Sequence, residues 1–291
     1  MHRHQTLSSP RRIAGAARVR RLGAVVSAGV WLGLTSAPAP LPGDRLATRA
    51  PAPTAAAPHL RVGPPPQLQQ VPYNGAFTFT RIRYGPGESL GGSRRGRGWG
   101  SSAWAHDYPD ADRNIQTILD EFTSVRANTD GSNVLDLEDR ELFRYPLIYM
   151  SEPGYWTITD DGARTLRDYL LKGGFLIFDD FEADQWHNMA AQLARALPEG
   201  EWVRLEDGHP VFQGFFAVED IYVPHPLVDV TPAYYAIFEG NDPARRIMVL
   251  ANHNADLAEY WEWSATGYFP VDPTNDAYRL GVNYVIYGLT H

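Results

Sequence analysis

From Leu166 to Glu182 the chain reads LRDYLLKGGFLIFDDFE, and this stretch decides the fold. Leu166, Tyr169 and Leu170 recur at helical spacing, Lys172 suits the negative C-terminal end of that helix, and Gly173 supplies the positive φ that stops it. Gly174 then releases the chain into a strand. Phe175, Leu176, Ile177 and Phe178 form a run that is apolar on both faces, as in a parallel strand whose sheet is covered by helices on both sides. Asp179, Asp180 and Glu182 follow at once. Ligands of open α/β sheets gather at the carboxyl ends of the strands, so these acids are the leading site candidates.

Outward from this centre the same grammar repeats. Ile115, Ile118, Leu119, Phe122 and Val125 mark an amphipathic helix after Pro109, and Leu147 to Met150 a short apolar strand ending in Ser151, Glu152, Pro153 and Gly154. Thr159 is placed to cap the helix that enters the central stretch. Trp186, Met189, Ala190, Leu193 and Leu197 mark another helix, stopped by Pro198. Strand, helix, strand, helix predicts a doubly wound parallel sheet, with 175–178 as a central strand. Phe77 to Tyr84 reads as a first strand; further strands are expected at 202–205, 234–238 and 247–251, and a closing helix at 280–289. His209-Pro210 and Val223-Pro224-His225-Pro226 must be loops or strand edges.

The first seventy residues differ from the rest. They hold nine arginines and a single acid, Asp44, whereas residues 71–291 hold 17 basic and 33 acidic side chains. So acidic a domain repels nucleic acid, and no such partner is expected. Arg18, Arg20 and Arg21 precede an uncharged stretch from Leu22 to Leu34 and then small residues, the order of a signal peptide, expected at 1–37. The stretch is shorter than the roughly 20 residues that span a bilayer, so the mature form is expected to lack a transmembrane helix and to be periplasmic or extracellular. Residues 38–72, rich in Pro and Ala, read as a disordered spacer, and 73–291 as a single α/β domain. Gly85 to Gly100 carries seven glycines with Arg94, Arg95 and Arg97, a surface loop without P-loop spacing. The absence of cysteine excludes disulfides, thiolate metal sites and a cysteine nucleophile.

Asp179 and Asp180 are neighbours, so in extended backbone their side chains point to opposite faces. Only a turn would let both serve one ligand. Each also has an ordinary role as a helix cap or a solvated acid. His209, held beside Pro210, titrates near neutrality, with Glu219 and Asp220 close behind as partners for it. Asn252, His253 and Asp256 follow an apolar strand, again where ligands gather. Trp104 and Trp186 lie in or beside loops at these strand ends, where rings stack on sugars or simply fill half-buried core. No nucleophile elbow, zinc-protease helix or dinucleotide fingerprint is present, and Ser151 has no base visible in the sequence.

From about Phe77 to His291 the chain resembles the bacterial domain of unknown function 4159, through Trp104-Ala105-His106-Asp107, the central stretch, Gly208 to Phe212 (GHPVF) and the closing LGVNYVIYGLT. More loosely, GGFLIFDDFE and HPVFQGFFAVEDIY are similar to the trehalose-utilisation-like branch of the class I glutamine amidotransferase-like fold. That resemblance implies a flavodoxin-like, doubly wound, mostly parallel sheet with a reactive residue at the turn after the central strand. Asp179 stands about where those relatives place Cys or His, so glutamine hydrolysis through a thiolate is not open to this chain. The expected function is an exported, non-catalytic domain that binds a carbohydrate-type ligand or an envelope protein at an acidic strand-tip cleft. Trp104, Glu182, Trp186, Glu219, Asp220, His253 and Asp256 would line that cleft. The alternative is a carbohydrate-directed hydrolase using Asp179 or Asp180 with His209. No cofactor is firmly implied; a divalent metal on Asp179 or Asp180 with Glu182, His187, His209 or His253 is the candidate, its identity open.

Overall fold

The computed structural model describes residues 68, 70–85 and 103–291. The leader expected at 1–37, nearly all of the spacer and all but the first residue of the Gly85 to Gly100 loop lie outside the described residues. Seven strands, β1 (Thr80–Arg83), β2 (Asn133–Asp136), β3 (Leu147–Ser151), β4 (Phe175–Phe181), β5 (Val203–Arg204), β6 (Ala233–Phe238) and β7 (Ile247–His253), form one sheet in the order β2-β1-β3-β4-β7-β6-β5. The first five in that order run parallel; β6 and β5 are antiparallel additions at one edge. The expected central strand therefore lies mid-sheet, and most of the sheet is parallel.

The doubly apolar run at 175–178 has its cause in the layers. Phe175 and Ile177 face one core with helices α1 (Asp110–Phe122), α4 (Leu257–Trp263) and α5 (Val271–Thr290), through Ile115, Trp261 and Leu280 among others. Leu176 and Phe178 face the other core with α2 (Asp160–Leu171) and α3 (Gln185–Leu193), through Leu166, Met189 and Leu193. Burying each large apolar side chain contributes about 1.5–3 kcal/mol, so alternation along one strand holds both helical layers to the sheet. Thr159 caps α2 by accepting from Gly162 N–H. Among the described residues no helix is long and apolar enough to cross a membrane.

Several elements depart from the periodicity. β4 does not stop at Phe178 but continues through two acids to Phe181, because those acids are buried with hydrogen-bond partners that an apolar pattern cannot register. β1 is shortened to Thr80–Arg83, while Phe77 makes an isolated bridge to Ala127. α1 ends before Val125 because Thr123 turns its hydroxyl and its N–H onto the Leu119 carbonyl. The closing helix starts nine residues earlier than expected, at Val271, with Pro273 in the first turn where a missing N–H costs nothing. β5 is reduced to two residues.

The α2–β4 turn is a tight joint. Gly174 N–H bonds to Tyr169 O at 2.9 Å and Gly173 N–H to Leu170 O at 3.3 Å, with Gly173 at φ 110°, which completes a Schellman cap. The Tyr169 ring lies over Gly174, where a Cβ would come within 2.2 Å of it, and its hydroxyl donates to Tyr145 O at 2.9 Å. Gly174→Ala is expected to displace that ring and lower stability by about 1–3 kcal/mol, read from urea unfolding against wild type.

Candidate functional site

Parallel register brings the ends of β3, β4 and β7 side by side, with Ser151 opposite Asp179 and Phe181 opposite His253. The two adjacent aspartates at this edge divide their roles. Asp179, fully buried, accepts from Tyr149 Oη (2.9 Å), Asn252 Nδ2 (2.9 Å), Leu257 N (3.0 Å) and Ala258 N (3.3 Å). Burial pushes its carboxyl up to about 7, and the Asn252, Tyr149 and Leu257 donors hold it from rising further. Asp179 is thus a structural tie between three strands and the N-terminus of α4.

Asp180 carries the site. Its backbone is left-handed at φ 59°, and Oδ2 meets His106 Nδ1 at 2.6 Å and the Ser151 hydroxyl at 3.1 Å. The turn that would let both acids serve one ligand is present, yet it sends Asp180 to His106 while Asp179 stays in the core. His106 precedes α1 on a segment fixed from below by Arg81. That guanidinium, fully buried, pairs with Asp112 at 2.6 Å and donates to the carbonyls of Trp104 (3.1 Å) and His106 (2.8 Å).

Around this dyad lie further acids. His106, Asp107 and Glu259 present ligand-type atoms within 4.8 Å of one another; so do His106, Glu152 and Asp180, and likewise Asp180, His225 and Asp256. Burial opposes charge on His106, but Asp107 and Asp180 overcome it and hold the imidazole well above the ordinary histidine value. Burial likewise opposes charge on Asp180, but His106, through its charge and its hydrogen bond, brings the carboxyl below the usual range. The other acids move the opposite way. Burial first, then mutual repulsion, raises Asp107, Glu152 and Asp256, and takes Glu259 up to about 9. Both carboxylate oxygens of Asp107 are buried without a hydrogen-bond partner. Asp256 Oδ2 and His225 Nε2 are buried without a hydrogen-bond partner. Such atoms are rare in folded proteins, and each calls for a physical explanation.

Backbone geometry points to the same spot. Asp107, Glu152, Asp180, Ala183 and Asn254 all have φ between 48° and 63°. Non-glycine residues seldom adopt this region, and they concentrate where function needs a particular side chain.

Of the residues singled out by sequence, Asp180 and Asp256 meet in the cluster, and the Glu182 carboxyl, raised by burial and by Asp180, lies beside it. Trp104 is buried against Tyr108, holding the His106 segment. Trp186 and His253 join Phe181, Trp202 and Tyr235 in an aromatic group next to the acids. Glu219 and Asp220 are exposed loop residues, and His187 is exposed on α3. His209 packs 5.8 Å from Phe238, which pairs with the first residue of β7, at the opposite edge of the sheet. The expected union of Asp179 or Asp180 with His209 is therefore not formed, since antiparallel β6 carries its end away from the strand tips. Unassigned from sequence were His106, Asp107, Glu152, His225 and Glu259. The His106-Asp107 pair stood inside a resemblance motif and His225 inside a proline-bounded loop, signals of a constrained position that carried no hint of a common partner.

Fold and site together define an α/β domain whose parallel strands converge on a buried carboxylate–imidazole cluster. Residues 78–289 match the family model described as Domain of unknown function (DUF4159), and the chain belongs to that family. No curated protein matches it.

Two variants test this division of roles. Tyr149→Phe removes one donor to the Asp179 carboxyl and is expected to cost about 1.5–3 kcal/mol in chemical denaturation, the scale of a hydrogen bond to a charged group. Ala183→Gly, at φ 48° on the exposed side of the tip, is expected to raise stability by about 1 kcal/mol in the same assay.

Proposed function

We propose that the chain is an exported domain of the class I glutamine amidotransferase-like fold that binds a ligand at the acidic site centred on Asp180. The observation that carries the reading is that Asp256 and His225, which close with Asp180, each hold a buried polar atom without a partner, Oδ2 and Nε2. Leaving them so costs the folded state, and a ligand that bonds to them recovers the difference. Support for the fold comes from the parallel order β2-β1-β3-β4-β7, the 2-1-3-4-5 pattern of flavodoxin-like sheets with β7 as fifth strand. The left-handed Asp180 supplies a turned residue at the tip of the central strand, where that fold keeps its reactive group. A chain without cysteine has no thiolate for glutamine hydrolysis. Export is supported by Arg18, Arg20 and Arg21 before the uncharged stretch from Leu22 to Leu34.

A second reading, hydrolysis of a carbohydrate, is favoured by one feature. Asp180 is held ionised while Asp256, within 4.8 Å, is raised, the separation of values that assigns a base and an acid. Their partner is the buried cluster and not His209. Against it, Asp180 is 4% and Asp256 1% exposed, so a sugar would meet the rim of the site and not lie between the two carboxyls as hydrolysis requires. Binding is accordingly the first reading.

The test is thermal unfolding of the purified chain with chito-oligosaccharides, malto-oligosaccharides and muropeptides, with reducing-sugar release followed in the same mixtures. A ligand at a hundredfold excess over its Kd stabilises by about 2.7 kcal/mol, and this gain is expected for wild type and absent in Asp180→Asn. Sugar release lost in Asp180→Asn would promote the hydrolase reading. Equal shifts in both proteins would place the ligand elsewhere and overturn the assignment of the site. Cell fractionation checks export, where a cytoplasmic chain retaining residues 1–37 would contradict it.

A further inference from the structure

Asp180 belongs to two of the ligand-type clusters, one with Glu152 and His106 and one with Asp256 and His225, each closed within 4.8 Å. Its Oδ2 already accepts from His106 Nδ1 and the Ser151 hydroxyl, which leaves Oδ1 for another partner. Asp256 is similarly divided. Its Oδ1 caps α4 by accepting from Glu259 N at 3.0 Å, and its Oδ2, in a side chain 1% exposed, accepts nothing.

His225 is the observation independent of the acids. It is 9% exposed, and its Nδ1 accepts from the backbone N–H groups of Leu227 (3.2 Å) and Val228 (3.3 Å). A neutral imidazole whose Nδ1 is an acceptor carries its proton on Nε2. Nε2 is the atom without a partner, and His225 belongs to the group closed with Asp180 and Asp256. The site therefore offers carboxylate oxygens and one N–H donor, with no open imidazole lone pair from His225. Oxygen donors of this kind suit hard divalent cations, and the smaller of these keep several waters when bound by a few carboxylates. An N–H donor at the rim suits one of those waters.

We infer that the strand-tip site holds one hard divalent cation of the magnesium, manganese or calcium type, ligated by Asp180 and Asp256 and otherwise by water. His225 is a positioning residue that donates through Nε2–H to a water on the cation. The inference rests on the reading that this site binds a ligand, and it names the class of that ligand. It also changes the ligand set read from sequence: Asp180 stays, and Asp179, Glu182, His187, His209 and His253 give way to Asp256, which closes with Asp180 and His225.

The experiment is titration of the chelator-treated full chain with Mn²⁺, followed by electron paramagnetic resonance, with Mg²⁺, Ca²⁺ and Zn²⁺ as competitors. One saturable Mn²⁺ per chain is expected, displaced by Mg²⁺ or Ca²⁺. Asp256→Asn keeps an oxygen for the α4 cap, so it should stay folded by thermal unfolding in chelator while its affinity falls by about a hundredfold. His225→Ala should weaken binding by about tenfold, and His225→Gln, which retains an N–H donor, should restore most of it. No saturable binding up to about 10 mM, well above the range of weak extracellular calcium modules, would overturn the inference. So would wild-type affinity in Asp256→Asn, or Zn²⁺ binding at least about a hundredfold tighter than Mn²⁺ and abolished in both His225 variants, which would make the imidazole a ligand. If Mn²⁺ fails to bind while an oligosaccharide or muropeptide still stabilises wild type and not Asp180→Asn, the cation inference falls alone; if neither binds, the ligand-binding reading falls with it.

Discussion

A carboxylate removed from water needs donors in place of its hydration shell, and at Asp179 four of them come from three different elements. Tyr149 reaches from β3, Asn252 from β7, and Leu257 and Ala258 offer the first N–H groups of α4. The last two would otherwise be unsatisfied at a helix N-terminus, where negative charge is also favoured by the helix dipole. One side chain thereby locks the tip of the central strand to the segment that follows β7. The backbone repeats the lock through Asp180 N–H to Ala255 O (3.0 Å) and Asn254 N–H to Phe181 O (2.9 Å). With both edges held, the residue next in sequence can occupy a strained turn without the strand fraying.

Charge is distributed with equal economy. Among the described residues Arg81 is the fully buried arginine, committed to Asp112 and to the carbonyls of Trp104 and His106, so it shapes the His106 segment and pairs with none of the cluster's acids. Removing one member of such a buried pair costs about 3–5 kcal/mol, which makes Arg81 a strong anchor. The acids are left with the His106 imidazole as their nearest positive group. His106 pairs with Asp180, and the remaining carboxyls are raised by burial and by each other, Glu259 to about 9. An ionised Asp180 among carboxyls raised by burial is a state that an entering positive ligand can readily alter.

Much of the fold was legible because its signals are local. The paired glycines at 173–174, the apolar run after them and the threonine at 159 each act within a few residues, and each element stands where its pattern put it. The site was legible only in its location. Asp180 was visible at the end of a buried strand, but its partners come from separate loops, with His106 74 positions away and Ser151 29. No periodicity links a residue before α1, one after β3, one in the His225 loop and two at the start of α4. His209 shows the converse error. Proline-bound and inside a shared motif, it had a promising sequence setting, yet the antiparallel β5–β6 addition carries it to the opposite edge of the sheet. Asp179 was misread for a related reason, since burial of an acid with four donors looks in sequence the same as an acid placed for a ligand.

The left-handed residues explain why the two aspartates cannot exchange roles. A non-glycine residue in that region costs about 1–2 kcal/mol, and glycine would relieve it at every position. Asp107, Glu152 and Asp180, three of the five around the site, are nevertheless carboxylic acids, so the backbone bears the strain in order to aim a charged group. That strain needs rigid neighbours. Asp179 supplies the rigidity for Asp180, Arg81 supplies it for Asp107 through the carbonyl of His106, and the hydrogen bond from Tyr84 Oη to Glu152 O at 2.7 Å supplies it for Glu152. Each turned acid thus has a buried group that fixes its backbone from beneath, and stability and site chemistry are carried by adjacent residues.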